Sequence, residues 1–125
     1  MDISPAPERR APEIAGVVAA ELEHFSSPDI VNALRKFLVE PRLELRQWDW
    51  SRDHIELPTW VIAESSKYDY GIVYAERGFG PSAPWGLVFS SANNFGADYC
   101  WYTSLQSAFE DSRLIEESRE ESDAA

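Results

Sequence analysis

The sequence predicts an α+β protein with two N-terminal helices, a four- to five-stranded antiparallel meander sheet and one C-terminal helix. Apolar residues recur at helical spacing as far as residue 38. From residue 42 to 91 the pattern changes to short apolar, β-branched and aromatic runs divided by turn residues. A helical stripe returns after residue 103. At 125 residues the chain is expected to form one domain, able to bury about two-thirds of the surface its unfolded form exposes.

Residues 1–11 are rich in Pro, Ala and charge and are expected to be a flexible lead-in to a globular region over 12–115. Ile14, Val17, Val18, Leu22 and Phe25 form one stripe of a first helix, with Pro12 in its opening turn, where a missing N–H is harmless. Ser27, Pro28 and Asp29 then read as N-cap, first helical residue and an acid at the positive helix end. Ile30, Leu34, Phe37 and Leu38 are the stripe of this second helix, and Pro41 is expected to stop it.

Leu43 and Leu45 alternate with Glu44 and Arg46, so a strand begins here. The large residues Trp48 and Trp50 follow out of phase, which predicts a β-bulge or a strand exposing a Trp face. Further strands are expected over 59–63, 70–75 and 85–89, separated by a turn at 65–69 and a Gly-Phe-Gly-Pro loop at 78–81. Short connections imply antiparallel neighbours. The inner strands are apolar on both sides, which predicts a sheet covered by helices on at least one face.

Residues 93–98 carry turn chemistry, and 99–102 can add a short strand. Thr103 and Gln106 fit a capping box, and Leu105, Ala108 and Phe109 share a helical face that Ile115 can extend. Residues 116–125 are polar all round and are expected to fray.

The formal charge is −11, from 22 acids and 11 bases. Nucleic-acid binding needs clustered Lys and Arg, and the only Lys after residue 36 is Lys67, so no direct nucleic-acid partner is expected. An anionic membrane surface is disfavoured for the same reason. No apolar run approaches the ~20 residues of a membrane span, and the N-terminus lacks the pattern of a signal peptide. One cysteine precludes an intrachain disulfide, and a cytoplasmic location is expected.

His24, His54 and Cys100 lack metal-ligand spacing, so no metal or other cofactor is expected. Cys100, His54 and Asp98 could serve as nucleophile, base and orienting acid, and the carboxylates of Asp49, Asp53, Glu64, Glu76 and Asp98 could act in pairs. A packed thiol and a solvated acidic face explain the same residues without catalysis, and no catalytic residue is assigned. A small hydrolase and a small-ligand-binding domain stand as alternatives.

The aromatics are more informative. Thirteen of sixteen lie between Trp48 and Tyr102, more than one sheet and three helices readily enclose. Trp and Tyr are common interface anchors. The set Trp48, Asp49, Trp50, Asp53, Glu76, Phe79 and Trp85 is therefore expected to bind a basic protein partner. In size, acidity, the Trp48-Asp49-Trp50 segment and the Gly-Phe-Gly-Pro loop, the chain resembles the small acidic immunity proteins of bacterial toxin–immunity pairs. That resemblance implies a non-catalytic, cofactor-free protein that neutralises a basic toxin. A nucleic-acid mimic is less well matched, because residues 110–123 gather seven acids and two bases at one end of the chain.

Overall fold

The computed structural model describes residues 10–50, 53, 55–79, 82–95 and 100–123, the last three by backbone alone. Helix α1 (Ala11–Glu23) carries Pro12 in its first turn and buries Ile14 and Val18. Val17, Leu22 and Phe25 pack against the same core, as their spacing requires. Helix α2 (Pro28–Arg35) starts at Ser27, whose hydroxyl accepts the Asp29 N–H at 3.1 Å.

Pro41 does not end α2. The helix stops at Arg35, and strand β1 (Leu38–Trp48) begins before the proline. Pro41 lies within β1, where pairing with β2 (Glu56–Glu64) is irregular between Leu38 and Arg42. A proline is tolerated at an irregular edge position because no ladder donor is required of it. Phe37 is buried and Leu38 half-buried at the strand entry, not on a helical stripe.

The expected meander is present: β1, β2, β3 (Gly71–Tyr74) and β4 (Trp85–Val88) pair antiparallel in sequence order. Two short strands extend it to a six-stranded mixed sheet. Strand β5 (Asn94–Phe95) runs parallel to β1, and β6 (Trp101–Tyr102) runs antiparallel to β4, giving the order β5-β1-β2-β3-β4-β6. The sheet is thus neither wholly antiparallel nor limited to five strands. The Asn93-Asn94 pair looks like a turn locally. It is recruited as an edge because Gln47 N–H donates to the Asn93 carbonyl at 2.6 Å and Asp49 N–H to the Phe95 carbonyl at 3.0 Å.

Leu43, Trp60, Tyr74, Trp85 and Tyr102 stand directly opposite one another across five strands. This row faces the helices and joins Ile14, Val18, Leu34 and Phe109 in one core. Two helices, not one, close the C-terminal end: α3 (Leu105–Asp111) and α4 (Arg113–Asp123). Ser104 caps α3, accepting the Ser107 N–H at 3.2 Å, so the cap falls one residue after Thr103. Gln106 is spent elsewhere: it accepts the Ser26 N–H at 2.9 Å and donates to the Ser26 hydroxyl at 2.7 Å, tying α3 to the α1–α2 joint. Glu21 accepts the Leu105 N–H at 2.8 Å.

Ser112 has extended backbone and splits α3 from α4. Instead of fraying from residue 116, α4 is helical to Asp123 and packs beside α2. Leu114 is fully buried, and so are Glu117 and Ser118. A carboxylate tolerates that burial only when hydrogen-bonded; Glu117 accepts from the Ser65 hydroxyl at 2.7 Å and the Tyr70 hydroxyl at 2.9 Å. Among the described residues no helix is long and apolar enough to cross a membrane.

Candidate functional site

The face of the sheet opposite the helices positions the site. On β1 it carries Arg42, Glu44, Arg46 and Trp48 in unbroken alternation, paired regularly from Arg42 to Gln47. Trp48 therefore follows Arg46 in phase. The slip expected between Leu45 and Trp48 does not occur; the second face simply has an aromatic requirement of its own.

Arg46 is only 1% exposed. Its Nε donates to the Thr59 hydroxyl oxygen at 3.1 Å, Nη1 to the carbonyls of Phe89 and Ala92, and Nη2 to Glu44. The Thr59 hydroxyl in turn donates to the Glu44 carbonyl at 2.7 Å. Guanidinium suits this place because its rigid fork serves several acceptors at once. The result is a pin that holds the segment after β4 across the sheet towards β5.

Next to the pin, Trp48, Phe79, Trp101 and Phe95 close a ring of contacts. Trp48 lies 5.0 Å from Phe79, edge-on, and 5.0 Å from Phe95; Trp101 lies 5.8 Å from Phe79 and 5.5 Å from Phe95. Gly78 has φ +97°, and a Cβ there would come within 3.1 Å of both Trp48 and Phe95. Glycine thus lets the β3–β4 loop close on the rings. Phe79 is half-buried in this cluster.

Beyond the cluster, β1 runs out into its hairpin with β2. Asp49 is anchored through its N–H to Phe95 and through Oδ1, which accepts from Asn94 at 2.9 Å. Trp50 follows at 55% exposure, with Ile55 at 49% and Leu45 at 44%. Asp53 and Glu56 are exposed beside them. Two of the five exposed large hydrophobic residues described, Trp50 and Ile55, thus lie at the turn end of one hairpin, and Leu45 is exposed on the helix-side face of β1. Tyr68 and Phe89 are the other two.

The expected binding set is therefore divided. Trp48, Asp49, Trp50 and Asp53 are together, and Phe79 supports Trp48 from behind. Trp85 is 2% exposed and belongs to the helix-side core, so it is removed from the set. Glu76 is half-buried after β3. Ile55 is an addition. Leu45 reads as core because it shares a strand face with Leu43, but only Leu43 packs against the core. Ile55, an isolated apolar residue in a polar hairpin, carried a signal that sequence alone could have used.

Cys100 is half-buried, and its carbonyl accepts the Leu87 N–H at 3.0 Å. His54, Asp98, Gly80 and Pro81 lie outside the described residues, as does the lead-in over 1–9. Among the described residues no group of three or more His, Cys, Asp or Glu side chains could hold a metal ion.

Two tyrosines are perturbed near the C-terminal helices. Tyr70 is pushed up to about 12, first by burial and then by the bonded Glu117 carboxylate. Tyr102 is pushed up to about 12 by burial and by Asp111. The folded state holds these protons more tightly, so their stabilising contribution is complete below pH 10 and is lost as pH rises towards 12. Tyr70→Phe is expected to lose less stability than the parent between those pH values, measured as urea midpoints. An identical alkaline decline would remove Tyr70 as a cause.

Comparison with protein-family models, with curated proteins and with solved structures finds no match to this chain.

Proposed function

We propose that this chain is a non-catalytic binding protein that docks a basic protein partner through the β1–β2 hairpin end, in the manner of an immunity-type inhibitor of a basic toxin. The observation that carries the proposal is the pairing of Trp50 and Ile55, both exposed at the turn end of the hairpin, with Asp49 and Asp53 in the same turn. An aromatic anchor beside aliphatic surface is the usual composition of an interface centre, and acids at its rim complement a basic partner. The turn that carries the anchor is also held at its start: the Arg46 pin, the Asp49–Asn94 bond and the four-ring cluster fix the end of β1, two residues before Trp50. A rigid presenter loses less entropy on binding than a mobile loop.

The partner to test first is the product of the neighbouring gene, by co-purification and calorimetry. Trp50→Ala is expected to weaken that complex by about 2 kcal/mol or more, roughly thirtyfold. Asp53→Lys is expected mainly to slow association, with a weaker salt dependence. Full affinity in both variants would exclude this end of the hairpin. No association with that product or any basic protein would remove the proposal.

A further inference from the structure

At the other end of β2, the strand turns through residues 65–70 into β3, and this turn leans on α4. A cavity of about 140 Å³ lies between them, lined by Tyr68, Tyr70, Arg113, Glu116, Glu117 and Glu120. We propose that this cleft binds the side chain of a lysine or arginine presented by a basic polypeptide.

The aromatic wall is built in advance. Tyr68 and Tyr70 stack with centroids 5.8 Å apart and planes 9° from parallel. The turn beneath them is held by the Ser65 hydroxyl oxygen, which accepts the N–H groups of Lys67 and Tyr68 at 3.0 and 2.9 Å. Asp69 braces it from the side, accepting the Ser91 N–H at 2.8 Å and hydroxyl at 2.6 Å. Tyr68 is nevertheless 54% exposed, so an aromatic face is fixed in place and open. Such a face attracts an ammonium or guanidinium, most strongly where carboxylates stand beside it.

The opposite wall supplies the carboxylates. Three acids and one arginine leave the lining with two net negative charges. Glu116 and Glu120 are spaced i, i+4 on α4, where like charges repel. Glu120 also approaches the negative end of a helix with no base in its last turn. Arg113, i−3 to Glu116 and i−4 to Glu117, offsets part of this charge, and a cation seated between the walls would offset more of it. Glu117 is buried and committed to Ser65 and Tyr70, so it fixes the second wall against the first. A strongly hydrated metal ion gains little from an aromatic wall, whereas a guanidinium or ammonium on an alkyl stem fits one.

This site is independent of the hairpin end. The two lie at opposite ends of nine-residue β2, roughly 26 Å apart at ~3.3 Å per residue. The test is an amide-shift titration of the full chain with N-acetyl-arginine amide, N-acetyl-lysine amide and the neutral N-acetyl-citrulline amide. The expected result is millimolar binding of the two cations, with shifts confined to residues 65–70 and 113–120, and no response to citrulline. Tyr68→Ala and Glu120→Gln should each weaken binding about two- to fivefold. Tyr68→Leu should weaken it likewise while keeping apolar bulk. Trp50→Ala should leave it unchanged, which separates this proposal from the hairpin interface. Shifts scattered over the acidic surface, an equal response to citrulline, or unaltered affinity in the Tyr68 and Glu120 variants would overturn it.

Discussion

Arg46→Met should destabilise the protein by about 3 kcal/mol, the largest effect expected of any polar residue in the sheet. The residue is 1% exposed and every arm of its guanidinium is engaged. Most of the loss comes from the carbonyls of Phe89 and Ala92 and the hydroxyl of Thr59. Glu44 keeps 32% side-chain exposure and can return to water. Arg46→Lys should recover only part of the loss, because one ammonium cannot span the same acceptors. The urea midpoint reads the stability. Amide exchange at Gln47 and Asp49 reads the mechanism, since those N–H groups bond to Asn93 and Phe95 on the pinned segment. Faster exchange at both is expected, together with weaker partner binding in a chain that still carries Trp50. A loss below about 1 kcal/mol, with both amides unchanged, would show that the segment is held by something else.

Gly86→Ala is the second substitution expected to do serious damage. Gly86 pairs with Trp101 across β4 and β6, and a Cβ there would lie 2.5, 2.6 and 2.7 Å from three atoms of the indole ring. Trp101 cannot simply yield, because it packs on Phe79 and Phe95. The cost is either a strained sheet or an indole expelled from the ring cluster, about 2–3 kcal/mol in each case. Near-ultraviolet circular dichroism should change, because the environment of the cluster changes with it. Trp101→Ala in the Gly86→Ala background should cost less than the sum of the two single changes, since the clash disappears with the ring. Strict additivity would mean that the ring does not occupy the space above Gly86.

Both substitutions act on the second face of the sheet, where sequence reasoning was least informative. Val61 and Val73 are visibly apolar positions, and the need for a cover on that side could be anticipated. Helices cover one face of the sheet, as the pattern predicts, but not the second. On that side lies the segment 89–95, whose Asn93-Asn94 pair signals a turn and whose pairing with β1 crosses 47 residues of sequence. The partner of Arg46 was hidden for the same reason. An arginine alternating with leucines reads as the solvent side of a strand. Nothing within several residues announces that two carbonyls from a distant segment will close over it.

The candidate site was legible in part. Trp48, Asp49, Trp50 and Asp53 are neighbours in sequence, and a hairpin keeps neighbours together. The large ring of Trp85 suits a hot spot and a core equally well. Its register opposite Tyr74 and Tyr102 decides for the core. The acidic C-terminal stretch is ambiguous in the same way. Its charge pattern is that of a solvated tail, and it is ordered by Leu114 and by the two hydroxyls that receive Glu117.

Sequence by itself determined the α+β class, the start of each N-terminal helix and the order of the four-strand meander. Those features follow from interactions over a few residues: a serine cap, a proline in a first turn, a stripe of period 3.6, alternation of period 2 and short connections. Only the packed structure shows which tryptophans meet water, why an arginine is buried, and that residues 94–95 join the sheet, whereas the short strand at Trp101–Tyr102 falls within the run expected to form one. Periodicity states which residues share a face. What covers that face is set by distant chain, through burial and hydrogen bonds that no local pattern encodes.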